Sequence, residues 1–406
     1  MDIWLINHYA VPPKYYPLAR QTCFAKYLME MGHTVTIFAA STVHNSTMNL
    51  ITDGRPWREE TVDGVHYVYI KCMGYQGSGL KRIYNICEFA WKLPGVCRRF
   101  PKPDAIVATS MPPTSCAVGI HLARKYKCKG IAEIADLWPE SIVAYGIAGP
   151  HNPAVIGLRW LEKWIYTHAD DVVFTMEGAY DYIVEQGWEK KIPRSKVHYI
   201  NNGVDLEAFQ YNREHFQVDD PDLQNPDVFK VVYTGSIRKV NNLGALLDAA
   251  KLITNPKVKF LIWGDGDERP ALEQRVRDEK IDNVVFKGKV EKKYIPHIVS
   301  QADFNFAHNT PSPLFRFGIS FNKIFDYFAA GKPVLTDFPC PYNPVIQANA
   351  GCAVENATAG EVAQAIEKMA TLEEEKYMNF CSNALHAAEV YDFRNLTKKL
   401  IEIISK

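Results

Sequence analysis

No apolar run in this 406-residue chain reaches the ~18 residues needed to cross a bilayer, so no transmembrane helix is expected. No excess of one charge exists either. Forty-six Lys and Arg balance 46 Asp and Glu, which leaves no overall field to draw in nucleic acid and makes any electrostatic attraction local. The nine cysteines are scattered and contain no C-x-x-C pair, which argues against a zinc site and a disulfide framework and for small core residues of a reducing compartment. The opening residues Met1-Asp2-Ile3-Trp4-Leu5-Ile6-Asn7 lack the basic stretch and small-residue cleavage site of a signal peptide. The expected location is therefore cytoplasmic, free or peripheral on a membrane. No internal repeat or low-complexity tract is present.

The length suggests two domains of roughly 200 residues, because one core stops growing before such a size. Short β-branched or aromatic runs alternate with amphipathic stretches, the pattern of an α/β fold with parallel sheets wound by helices. Strands are predicted near 2–6, 34–40, 65–70, 104–108, 130–135, 171–175 and 197–200, then 230–235, 258–263, 284–287, 303–306 and 333–336. Phe24, Leu28 and Met31 share one face of the first helix. Further helices are predicted at 242–254, 269–279, 291–301 and 321–330, and the stretch from about 375 to 406 reads as helical. The turn signal Asn202-Gly203 and the polar stretch 210–229 place the domain boundary.

The most informative segment runs from Phe317 to Leu335. It reads as a loop, a short helix and a returning strand, with Ser320 as N-cap, Gly331 just past the helix end and Lys332-Pro333 stopping it. The first turn then presents Asn322 and Lys323. A lysine is poorly placed there, because the helix dipole opposes its charge by about 0.3–1 kcal/mol. An anion bound at that N-terminus, held by backbone N–H groups and the ammonium, removes the conflict. Asp326, on the same face one turn on, is placed to accept hydrogen bonds from a ribose diol. The competing reading is a surface Lys323–Asp326 ion pair.

This run resembles the donor-site helix of the family-4 glycosyltransferases of GT-B architecture, in the variant "SxNKxFDYxAAGKPV" of bacterial members that build surface polysaccharides. "NGVDxxxF", from Asn202 to Phe209, resembles the family's entry into its second domain. The resemblance implies two Rossmann-like domains facing a cleft, here 1–203 and 204–385, with a final helix, 386–406, returning to the first. It implies nucleotide-sugar contacts at Ser320, Asn322, Lys323 and Asp326. The family's first donor-site glutamate falls on Gly318 and is absent. Gly235, in the strand-loop-helix entry Val231 to Ser236, opens a phosphate-cradle arrangement. The family's two cations there fall on Ser236 and Asn241, so Arg238 or Lys239 is expected to neutralise the diphosphate from a shifted position. Gly264 and Gly266 resemble the base-side loop, and Phe286, Lys289 and Val290 the strand that brackets the nucleobase. In the first domain, "DLWPES" resembles the segment facing donor sugar and acceptor. Asp136 and Glu140 are its candidate catalytic groups, Trp138 a stacking platform, and His8 a possible further contact. No cofactor and no metal are implied, the acids at 265–268 reading as helix-initiating.

From 79 to 102, Lys81, Arg82, Lys92, Arg98, Arg99 and Lys102 oppose the single acid Glu88, interleaved with Ile83, Tyr84, Ile86, Phe89, Ala90, Trp91 and Leu93. Such a helix fits adsorption to an anionic membrane surface or, alternatively, core packing with a solvated basic edge. The expectation is a retaining, metal-independent glycosyltransferase that carries a hexosyl or N-acetylhexosaminyl group from a nucleotide-sugar, expected to be a UDP-sugar. Its acceptor is expected to be a lipid-linked sugar or oligosaccharide of surface polysaccharide, such as capsule or O-antigen. The alternatives are a nucleotide-sugar epimerase of the same fold and a catalytically silent sugar-nucleotide-binding partner.

Overall fold

Buried, near-continuous β-branched and aromatic runs form two separate parallel sheets, because strands covered by helices on both faces need no polar alternation. The computed structural model describes residues 1–15, 20–44, 46–77, 79–356 and 358–406. These form two compact units, Met1–Asn201 with Leu396–Lys406, and Asn202–Asn395.

In chain order the first unit contains β1 (Asp2–Ile6), α1 (Arg20–Glu30), β2 (Thr34–Ala40), β3 (Trp57–Val62), β4 (Val65–Ile70), α2 (Leu80–Cys97) and β5 (Ala105–Ser110). It continues with α3 (Pro113–Tyr126), β6 (Lys129–Ile134), α4 (Glu140–Ala144), α5 (Pro153–His168), β7 (Asp171–Phe174), α6 (Ala179–Glu185) and β8 (Val197–Tyr199). The sheet order is β3-β4-β2-β1-β5-β6-β7-β8, parallel except for the antiparallel β3–β4 pair. All seven predicted strands are present. The unpredicted β3 carries Arg58, Glu59 and Glu60 at the sheet edge, where no core demands apolar residues. Its Asp63-Gly64 turn, with both residues at positive φ, is the hairpin signal that marks it.

The second unit contains α7 (Leu206–His215), α8 (Pro221–Gln224), β9 (Phe229–Thr234), α9 (Leu243–Ala250), β10 (Val258–Trp263), α10 (Arg269–Glu279) and β11 (Val284–Gly288). Then come α11 (Ile295–Ser300), β12 (Phe304–Ala307), α12 (Asn322–Ala329), β13 (Val334–Thr336), α13 (Pro344–Gln347), β14 (Gly351–Ala353), α14 (Ala359–Ala370) and α15 (Glu374–Val390), and the last helix, α16 (Phe393–Ile404), starts in this unit and belongs to the first from Leu396 on. Its all-parallel sheet has the order β11-β10-β9-β12-β13-β14. The stretch 210–229 is no plain linker. It carries the end of α7 and all of α8, and Asp220 and Asp222 bond Lys287 of β11 at 2.7 and 2.6 Å. β14 is too short to show in the sequence, and Gly351 permits it: a Cβ there would lie 2.0 Å from the Val334 carbonyl oxygen. The returning segment of the first unit begins at Leu396, within α16, whereas the sequence expectation began it at 386.

Candidate functional site

In the second unit the loops leaving β9 and β10 interlock through glycine. A Cβ on Gly264 would lie 1.8 Å from the Gly235 carbonyl oxygen, and one on Gly266 2.0 Å from that of Ile237. Backbone bonds fasten the two loops, from Gly235 N–H to Trp263 at 3.0 Å and from Ile237 N–H to Asp265 at 2.9 Å. Only residues without a side chain let two backbones approach so closely at the carboxyl ends of adjacent strands, where open α/β sheets bind ligands.

Helix α12 begins beside these loops. Ser320 is not its N-cap, contrary to the sequence expectation. Phe321 occupies that position and no side chain caps the helix. Ser320 instead receives the backbone N–H of Asn202 on its hydroxyl at 3.3 Å and the Asn202 amide on its carbonyl at 3.1 Å, so it fastens the domain-entry turn. With no capping side chain, the first N–H groups of the helix, those of Asn322 and Lys323, are left for another acceptor, and the Asn322 side chain is exposed beside them.

The Lys323 ammonium stands 4.1 Å from the centroid of the Tyr233 ring, and a Cβ on Gly235 would come within 3.0 Å of it. Among the described residues no ion pair joins Lys323 to Asp326 or to any other acid, so the surface-pair reading fails. Burial pushes the Lys323 pKa down to about 7, against a smaller upward pull from Asp337. Burial likewise raises the Asp326 carboxyl, opposed by Lys292. A half-buried cation and a half-buried carboxylate, three residues apart and neither in an ion pair among the described residues, are costly to the unliganded protein.

Behind them lies a buried pair that the sequence reading missed. His308 and Asp337, 4% and 2% exposed, follow β12 and β13, and His308 Nδ1 bonds the Asp337 carboxylate. The other ring nitrogen faces the carbonyl of Asn242 at 2.8 Å, in the loop between β9 and α9. Polar residues directly after parallel strands were the signal for this pair. Tyr327 joins in from α12, its hydroxyl 3.2 Å from the Thr234 amide.

The Ser236 hydroxyl donates to Asn241 Oδ1 at 2.8 Å, so the two positions at which the resemblance places cations close the loop on itself. Arg238 and Lys239 are exposed in the same loop and form no ion pair among the described residues. Phe286 pairs with Ile262 across β10–β11 and packs on the core, and Val290 packs against the group that holds Trp263. Lys289 is exposed just past the strand end. Among the described residues no hydrogen bond, ion pair or ring contact joins these three to Lys323 or Asp326.

In the first unit, Asp136 follows β6 and is exposed. Glu140 opens α4 but is held by Arg159 at 2.7 Å, so its carboxylate already has a partner. No hydrogen bond joins the two acids. His8 is fully buried between Tyr9 and Phe89, with ring centroids at 4.5 and 5.1 Å, and burial pushes its pKa down to about 3. It is a neutral core residue rather than a surface contact. Among the described residues no group of three or more His, Cys, Asp and Glu is gathered to hold a metal, and no helix is long and apolar enough to cross a membrane.

Residues 21–203 match the family described as glycosyl transferase 4-like domain, and residues 228–371 that described as glycosyl transferases group 1. The chain is 23% identical over 290 residues to WcaI of Escherichia coli K12, a protein named for glycosyl transfer in colanic acid biosynthesis; the match spans 68% of this chain and 69% of WcaI. Matches to two further proteins named as glycosyltransferases span 62% and 50% of those relatives. The fold is similar to that of sucrose-phosphate synthase from Thermosynechococcus elongatus, with 17% identity, a TM-score of 0.72 and coverage of 100% of this chain and 98% of that one. It is also similar to HepE of Anabaena, solved with UDP and glucose, with 16% identity, a TM-score of 0.68 and full coverage of both chains.

Proposed function

This chain belongs to the two-domain GT-B glycosyltransferases, and from that premise we propose that it transfers a sugar from a UDP-sugar to a lipid-linked saccharide in surface polysaccharide assembly, with retention of anomeric configuration. The observation that carries the donor half is the pair Lys323 and Asp326, without counter-ions among the described residues, at the uncapped start of α12. A diphosphate there accepts the free N–H groups of the helix and the ammonium, while the Asp326 carboxylate accepts the ribose hydroxyls. Arg238 and Lys239 supply further positive charge from the loop after β9. Uridine as the base, and polysaccharide as the product, rest on what the similar proteins are named for or were solved with.

On this reading the bond from the anomeric carbon to the diphosphate breaks as helix dipole, Lys323 and the loop cations take up the developing charge on the leaving oxygen. The acceptor hydroxyl attacks from the same face and passes its proton to the departing diphosphate. No enzymic nucleophile and no bound metal are required. Asp136, exposed after β6, is the group proposed to orient the acceptor. Glu140 acts only through its hold on Arg159.

A panel of UDP-, GDP- and dTDP-sugars tests this. Release of UDP from one UDP-sugar, increased by a saccharide acceptor, is the expected result. An isomerised donor would establish the epimerase, and tight binding without turnover the silent partner. The Ser236–Asn241 bond, in place of two cations, and Gly318, in place of a donor-site glutamate, are the features that favour the silent reading.

A further inference from the structure

The loop that carries Arg238 and Lys239 is fastened at both ends from within the second unit. At its start the Tyr233 hydroxyl donates to the Ser236 carbonyl at 3.0 Å, and the Ile237 N–H to the Asp265 carbonyl at 2.9 Å. At its end Asn242 adopts the left-handed conformation, φ 47° and ψ 45°, and turns the chain into α9. The Asn242 carbonyl meets His308 Nε2 at 2.8 Å. Two residues after His308, the Thr310 N–H reaches the Val240 carbonyl of the same loop at 3.4 Å. The two exposed cations lie between these fixed points.

A carbonyl oxygen only accepts, so His308 Nε2 presents a hydrogen to it. Nδ1 bonds the Asp337 carboxyl, which fixes the ring so that Nε2 faces the loop. This arrangement is an expensive way to join β12 and β13, which already pair through their backbones. Both side chains are almost fully buried, and Asp337 Oδ1 has no hydrogen-bond partner among the described residues. An apolar pair of similar volume would be as stable or more so. What the apolar pair would not supply is the hydrogen on Nε2, whose acceptor is the end of the loop.

We propose that His308, oriented by Asp337, is a positioning residue for the sugar transfer. Its Nε2–H ties down the Asn242 end of the loop, so that Arg238 and Lys239 are set for the diphosphate before the donor arrives. A loop already ordered loses less freedom on binding, and its charges need no rearrangement as the leaving oxygen becomes negative. Both residues act through the loop and are too deeply buried to touch the substrate. This role rests on the reading of the loop as a diphosphate site.

H308Q/D337N and H308M/D337N test it. Both variants remove the ionisable pair. Gln and Met are unbranched side chains of similar length, and only the Gln amide offers a hydrogen where Nε2 stood. H308Q/D337N should bind UDP nearly as wild type does, whereas H308M/D337N should bind it about tenfold more weakly. All three should bind uridine equally. Without ligand, amide exchange over 235–242 should quicken in the Met variant alone. Equal UDP affinity in the two variants would overturn the proposal, as would equal losses for UDP and uridine with a lower Tm, the mark of a mere sheet brace. Nitrogen-15 spectra of wild type give a check that needs no variant: a His308 Nε2 without hydrogen would also overturn it. A wild type that fails to bind UDP would instead be the failure of the donor reading, and exchange and nitrogen-15 spectra of the unliganded protein would still decide whether His308 holds the loop.

Discussion

The two units share one plan, a parallel sheet with ligand-competent loops at the carboxyl ends of its strands, yet they treat charge there in opposite ways. In the first, Glu133 is held by Arg20 at 2.9 Å and by Thr109 at 2.7 Å, Glu140 by Arg159, and His8 is buried in neutral form. In the second, Lys323, Asp326, Arg238 and Lys239 meet no counter-ion among the described residues. Charged residues are common at both ends. Asp136 is the first unit's exception, with no counter-ion among the described residues; what distinguishes the second unit is cations left uncompensated by the fold, which a bound nucleotide diphosphate would compensate.

The largest test of that contrast is Lys323→Met. Loss of charge-assisted bonds to a diphosphate should cost about 3 kcal/mol, roughly 100-fold in UDP affinity, with little change for uridine. The unliganded variant should gain stability, by roughly 1–2 kcal/mol, because it no longer desolvates a cation. The sign follows from the lowered pKa. Between the unfolded value near 10.5 and the folded value of about 7, the unfolded state binds the extra proton, so stability falls as pH drops through that range and then levels off. By the same linkage UDP binding should take up a proton above pH 7 and weaken as pH rises, readable by calorimetry in buffers of different ionisation enthalpy. Equal losses for UDP and uridine, with a lower Tm, would make Lys323 structural and dissolve the contrast.

Asp326→Ala should weaken UDP and uridine alike, by roughly 1.5–2 kcal/mol, because its proposed partner is the ribose they share. A loss confined to UDP would move Asp326 to the phosphate side. In the first unit, Asp136→Asn should lower turnover about tenfold or more at saturating donor, with UDP affinity intact. Glu140→Gln should have the smallest effect. Breaking a partly exposed pair with Arg159 costs about 0–1 kcal/mol in thermal unfolding, and donor binding should not respond. If Glu140→Gln proved as damaging to turnover as Asp136→Asn, the compensated carboxylate would be functional and the rule drawn from the comparison would break.

Much of this was legible in the chain. The apolar runs of β1, β2, β9 and β10 are long and buried on both faces, so local pattern and tertiary demand coincide and the predicted limits agree closely with the structure. The edge strand β3 escaped because charged residues fill its middle, and β14 because three residues are too few to show a pattern. Asn322, Lys323 and Asp326 could be chosen from residue type and helical spacing. Ser320 was misassigned because a serine before a helix has two uses, capping its own helix or bonding a distant turn, and Asn202 decides between them.

The sequence by itself determined the α/β alternation, the two-domain scale, the glycine loops and the lysine set against its helix dipole, since each depends on neighbours within a few residues. Which charges are satisfied was decided only by tertiary structure. Glu140 and Arg159 are 19 residues apart, His308 and Asp337 are 29, and Lys323 meets Tyr233 across a separate strand. The same holds for α2. Its composition names a basic, aromatic helix, but only packing shows which aromatic residues enter the core and which are left facing water. Pairing and burial depend on where separate segments meet, and no local pattern carries that information.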